Sequence, residues 1–262
     1  MRAHVLFAAG VLALAVSAGA GEPSASDVEV RSECFALELE TQVEGSPQHV
    51  GIAKLTRASV GADTLLEWDL FFATENVRVL HVERFGADGA KLVWRELSSG
   101  RGRTVLAELG VDATTLRVVD WSSEREREDV HVDAECLLPL AHLELARRGE
   151  LCDGLQRVFD PLTRALEPLA TETRFEAVPL DEGDGLESWQ LEREVSSVRA
   201  DGTHAWSARF VGDELRLYRW QAGGLVARRI ESGDYERELE SLAPDVGESP
   251  TPPTSLAHVK SE

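Results

Sequence analysis

The sequence predicts an all-β to α+β domain: a curved antiparallel sheet with one central helix near residues 137–148. Three observations carry this. Apolar residues recur with a period of two over many short segments, as half-buried strands require. Glycine-bearing turns separate those segments at close spacing. Only one stretch, Leu137 to Arg148, has helical periodicity bounded by start and stop residues.

Each element follows from its local pattern. Cys34 to Val43 alternates, with Phe35, Leu37, Leu39, Thr41 and Val43 on one face and Ala36, Glu38, Glu40 and Gln42 on the other. Val50 to Thr56 is a second strand after the Gly45-Ser46-Pro47 break. Leu65 to Ala73 is apolar on both faces, which predicts a central strand. Val77 to Phe85 and Lys91 to Leu97 flank Gly86-Ala87-Asp88-Gly89 and form the clearest hairpin in the chain. Arg103 to Leu109, Thr115 to Trp121 and Val130 to Glu135 continue the series. Between the last two, Ser122 to Asp129 is a solvated run of alternating charge.

The helix has Pro139 in its first turn and Gly149 at its C-terminal cap. Leu137, Leu140, Leu143 and Leu145 give it an apolar side, and Arg147 and Arg148 sit where the helix dipole favours cations. Beyond it, Arg157 to Leu162, Glu172 to Val178 and Trp189 to Val195 read as strands. Thr203 to Val211, Glu214 to Trp220 and Leu225 to Ile230 form a meander. Asp234 to Leu242 is a short helix. These strands carry a charged outer face at Glu38, Glu40, Arg78, Arg84, Lys91, Arg95, Glu214 and Arg216. The other face needs cover from the helix, from loops or from a ligand.

The ends have their own composition. A short basic start, an apolar run from Val5 to Ser17 and the Ala18-Gly19-Ala20 site predict a signal peptide over residues 1–20. The expected location is therefore periplasmic or secreted, with cleavage after Ala20 and no transmembrane anchor. Residues 21–31 read as a flexible leader and 32–242 as one β-rich domain, or two halves split near 152. Residues 243–262 carry Pro244, Pro250, Pro252 and Pro253 and read as a disordered tail.

The formal net charge of −20 argues against nucleic acid as a partner. Only three of the 27 basic residues are lysines, so arginine supplies nearly all positive charge. In an oxidising compartment Cys136 and Cys152, which flank the helix, are the best candidates for a disulfide; three buried thiols are the plain alternative.

Local chemical motifs are sparse. The chain has no G-x-S-x-G, phosphate-binding loop, dinucleotide fingerprint or H-E-x-x-H, so neither a catalytic residue nor a cofactor is assigned. His131, Asp133, Cys136 and His142 lie near one another in sequence, but their spacing matches no common metal signature, and no metal is assigned. Asp181 to Gly185 reads as a solvated acidic loop. Six tryptophans, Trp68, Trp94, Trp121, Trp189, Trp206 and Trp220, lie in or beside strands. Such residues line ligand cavities or simply fill cores.

The signal followed directly by amphipathic strands, the helix bounded by Pro139 and Gly149, and Val158-Phe159-Asp160-Pro161-Leu162 open a pattern that continues with the Glu187-to-Ser196 strand and the Trp206/Trp220 meander. In these features the chain resembles exported bacterial proteins sharing the half-barrel fold of the LolA/LolB lipoprotein carriers. The resemblance implies a curved sheet wrapped on a helix, with an apolar concavity that in the carriers accepts acyl chains. The expected function is non-catalytic binding of an acyl chain or lipid, lined by Leu66, Trp68, Leu70, Phe72, Trp189, Leu191 and Phe210. A ligand-free structural or protein-interaction module of the envelope is the second reading. A hydrolase of envelope glycans or esters is the third.

Overall fold

The computed structural model describes residues 28–40, 47–60, 62–86, 89–98, 103–109, 114–120, 126–132, 136–151, 154–160, 164–180, 188–221 and 223–242. The expected signal peptide, the acidic loop 181–187 and the proline-rich tail lie outside these residues, as do Cys152, Asp133 and Trp121.

Among the described residues, fourteen strands form one antiparallel sheet. The first eight are β1 (Val28–Leu39), β2 (Gln48–Val60), β3 (Asp63–Phe72), β4 (Val77–Gly86), β5 (Gly89–Ser98), β6 (Arg103–Leu109), β7 (Thr115–Asp120) and β8 (Glu126–His131). Helix α1 (Pro139–Arg148) follows. Then come β9 (Leu155–Asp160), β10 (Ala165–Leu180), β11 (Ser188–Arg199), β12 (His204–Val211), β13 (Glu214–Trp220), β14 (Leu225–Ile230) and α2 (Ser232–Leu242). The spatial order runs β8 through β1, then β14 through β9. The two halves are thus two meanders joined where the first strand pairs with the last, Phe35 opposite Arg229 and Leu37 opposite Ala227. They share one sheet.

Several strands exceed the sequence expectation. β1 starts at Val28, inside the expected leader, and β8 starts at Glu126, inside the charged run. In both places strand pairing satisfies the backbone although most of the side chains are polar; Val28 to Arg31 lie opposite Arg57 to Val60. β3 is buried on both faces, as its composition predicts. The β4–β5 hairpin closes with Gly86 opposite Gly89. Asn76 takes φ +51° between β3 and β4, a left-handed conformation that a short polar side chain tolerates.

The sheet curls until its ends meet. Phe159 of β9 packs in one cluster with Leu92, Val105, Ala107 and Val118 of β5 to β7, although these strands stand at opposite ends of the hydrogen-bonded order. The main-chain groups of Leu137 pair with the free edge of β9, the Leu137 N–H donating to Arg157 O at 2.8 Å and the Phe159 N–H to Leu137 O at 3.0 Å. Arg164 Nη2 reaches Asp120 Oδ2 of β7 at 3.0 Å, tying the two ends together.

Helix α1 lies within this curl. Leu140, Ala141, His142, Leu143, Glu144, Ala146 and Arg147 are all buried, so the helix is enclosed around most of its circumference. The expected single apolar side is therefore a correction: polar residues face protein too, and each has a partner or an aromatic neighbour. Gly149 ends the helix at φ +71°, its N–H donating to Ala146 O, as its position predicts. Helix α2 packs outside, on β1 and β2.

Candidate functional site

The sheet has a mouth at the C-terminal end of α1, built from a projecting ribbon and a polar cleft. The ribbon comes from β10 and β11. β10 pairs with β9 only as far as Ala170, and β11 pairs with β12 only from Glu192 onward. Phe175 stands opposite Arg193, the last inward-facing residue of β11 still paired with β12; past that pairing the two strands pair only with each other, Ala177 opposite Leu191 and Pro179 opposite Trp189. Directly paired residues share a face, and alternate residues along a strand do too. Val195 on that face is buried in the core. The ribbon therefore continues the inner face past the end of the core. There Phe175 is 64% exposed, Leu191 60% and Trp189 58%.

Arg193 stands at the boundary. Its guanidinium lies 5.2 Å from the centre of the Phe210 ring and donates to the carbonyl oxygen of Arg147. That carbonyl belongs to the last turn of α1, where backbone acceptors lack helical partners. Burial lowers the Arg193 pKa from its usual value.

Beside the same helix end lies a cleft of about 320 Å³, lined by β1, β2, α1, the β12–β13 turn and β14. Two buried carboxylates organise it. Glu33 accepts from Arg147 Nη2 at 2.8 Å, from Arg229 Nη1 at 3.0 Å and from the Leu215 N–H at 2.9 Å. Glu144 meets Arg57 and Arg148, each at 2.9 Å, and Arg147 at 3.4 Å. At the rim Arg31 reaches Asp213 at 2.9 Å, and Arg229 lies 3.6 Å from Glu214. Removing an ion from water is costly, so burying this group requires mutual pairing.

The seven expected lining residues divide between two places. Leu66, Trp68, Leu70 and Phe210 are buried in the main core with Leu140, Leu143 and Ala146 of α1, and Phe72 packs against that cluster. Trp68 also contacts the rings of Tyr218 and Trp220, each with centroids 5.0 Å away. Trp189 and Leu191 stand exposed on the ribbon. The division has a physical cause: α1 occupies the concavity, so strands facing it close onto the helix while the ribbon runs past the helix end. Sequence reasoning missed Phe175, Arg193 and the arginine cleft. Phe175 carries a usable signal, since a β10–β11 hairpin places it on one face with Leu191. The cleft has none, because its residues come from five distant segments.

The remaining candidates are dispersed. His142 is enclosed beside Trp206, ring centroids 5.2 Å apart, whereas His131 is exposed on β8. Among the described residues no three His, Cys, Asp or Glu side chains converge as metal ligands. Cys136 is buried, its pKa pushed up to about 11 by desolvation; the expected bridge to Cys152 lies partly outside the described residues. Glu67, on the outer face of β3, has a pKa raised to about 7 by burial and then by Asp69. Asp69 itself is clamped by Arg78 at 2.6 and 2.7 Å.

A curled antiparallel sheet closed on an internal helix defines a barrel-like fold of this chain. A solved structure shares it: a β-barrel-like protein of a domain of unknown function, DUF1849, from Brucella abortus. The TM-score is 0.50 at 12% identity, covering 78% of this chain and 97% of that one. No protein-family model and no curated protein matches the sequence. No helix among the described residues is long and apolar enough to cross a membrane.

Proposed function

We propose that this is an exported, non-catalytic envelope protein that binds an apolar ligand, an acyl chain or lipid, at the mouth of its curled sheet. The observation carrying this is the run of Phe175, Leu191 and Trp189, exposed on the inner face of the ribbon. Fully burying such a side chain is worth about 1.5–3 kcal/mol. A ligand covering three of them gains several kcal/mol before ordering costs. The LolA/LolB-like resemblance supports the same class of ligand. The difference is its seat: α1 fills the concavity, and the ribbon offers the open apolar surface.

Native mass spectrometry of the chain exported from a bacterial host and purified without detergent tests this. Lipid adducts are expected, and Trp189→Glu or Leu191→Glu should remove them without unfolding the protein. A ligand-free protein that also ignores added fatty acids and phospholipids would end the proposal. N-terminal sequencing of the same sample should begin at Gly21; a start at Met1 would refute export with cleavage.

The enclosed helix favours a second reading, a ligand-free interaction module whose ribbon docks on an envelope protein. That reading predicts crosslinks from position 189 to a protein and no lipid adduct.

A further inference from the structure

The cleft at the end of α1 has a charge pattern that the apolar reading leaves unused. In its deep layer Arg57, Arg147 and Arg229 meet two carboxylates, Glu33 and Glu144, and Arg148, outside the lining, also pairs with Glu144. With Arg31, Asp213 and Glu214 at the rim, positive and negative groups balance, which leaves the cleft locally neutral in a chain whose net charge is −20. Arg57 meets Glu144 through Nε, and Arg229 meets Glu33 and Glu214 through Nη1. Both side chains are about a quarter exposed, at 23% and 26%, and both line the 320 Å³ cleft. Planar guanidinium forks match carboxylate and phosphate oxygens.

Position links the cleft to the ribbon. Arg147 lines the cleft, and its carbonyl accepts from Arg193. Two residues farther along β11 the exposed apolar run begins at Leu191. From Arg193 to Trp189 is roughly 13 Å at about 3.3 Å per residue. We infer that the cleft is an anion site for the carboxylate or phosphate monoester head of an amphiphile whose chain lies on the ribbon. This rests on the apolar-ligand reading for the chain but stands on separate residues for the head. The rim carboxylates Asp213 and Glu214 oppose an anion and set its affinity below the maximum the arginines allow.

Isothermal titration calorimetry with decyl phosphate, decanol and inorganic phosphate, each as monomer in solution, separates the parts. Decyl phosphate should bind more tightly than decanol. Arg57→Gln with Arg229→Gln should weaken it about tenfold or more, as loss of charged hydrogen bonds does, and leave decanol unchanged. Glu214→Gln, a rim change outside the core, should tighten decyl phosphate a few-fold. If decyl phosphate and decanol bind alike, and neither the arginine changes nor Glu214→Gln moves the difference, the anion site is overturned while the apolar reading stands. If both phosphates bind alike, with arginine dependence, and decanol does not, the anion site stands and the apolar reading falls. Binding of none of the three overturns both. Should the arginine variants fail to fold, a Glu214→Gln protein with unchanged affinity for decyl phosphate is enough to overturn the anion site.

Discussion

Glu83 on β4 and Leu140 in the first turn of α1 are joined by a 2.8 Å hydrogen bond, the Leu140 N–H donating to Glu83 Oε1. The other carboxylate oxygen accepts the Ala141 N–H at 2.7 Å. Leu138, at the N-cap, has no side chain able to cap this helix. A carboxylate from a strand 57 residues away takes that place, where the helix dipole favours negative charge. His81 Nε2 lies 2.8 Å from the same carboxylate. Glu83→Ala should cost about 2–4 kcal/mol, because two buried donors lose their acceptor. Glu83→Gln keeps one acceptor and should cost about half as much. Urea denaturation of the two variants checks the order; equal small losses would mean that Glu83 does not hold the helix.

His142 makes stability fall in mild acid. Burial lowers its pKa from 6.5 to about 4, against a smaller raising effect of Gln156. Between those values the unfolded chain takes up a proton that the folded chain refuses. Stability therefore falls as the pH drops from 6.5 to about 4 and is unaffected by this group above 6.5. The full effect is on the order of 3 kcal/mol. His142→Phe keeps a ring against Trp206 and should flatten that slope. An unchanged slope in denaturation curves across this range would show that His142 is not its source.

Glu67 acts in the opposite sense. Its pKa rises from 4.5 to about 7, through burial first and Asp69 second, with Arg78 and Lys54 opposing. The stability this contributes is complete below pH 4.5 and is lost as the pH rises through about 7. Glu67→Gln should therefore stabilise the protein at pH 8 by about 2 kcal/mol and change little at pH 4. Parallel melts of wild type and variant at the two pH values measure this; equal shifts at both would place the cause elsewhere than titration.

The ribbon and the core should respond differently to substitution. Phe210 is fully buried, and Phe210→Ala should cost about 3–5 kcal/mol. Leu191→Ala and Phe175→Ala, on exposed positions, should stay within about 0.5 kcal/mol. Chemical denaturation of the three variants tests the division. A large loss at Phe175 would mean that the ribbon folds back onto the body.

Periodicity alone determined the class of this fold. Alternation in segments such as Phe35 to Leu39, two-sided apolarity in Leu65 to Phe72, and the glycines at 86 and 89 are local signals, because pleat and turn geometry act within a few residues. The cap at Gly149 is local for the same reason. The lining set was only half legible: alternation names the face on which Phe210 and Leu191 sit, but not how much of that face the helix covers. Tertiary structure decided that, by enclosing α1 and leaving the ribbon to run past its end. Long-range pairing also decided strand length, since β1 and β8 extend into mostly polar segments through backbone hydrogen bonds that side-chain pattern does not report. Least legible was the arginine cleft. Arg57, Arg147 and Arg229 look like any surface arginines in the sequence, and only the curl of the sheet brings them to the buried carboxylates of Glu33 and Glu144.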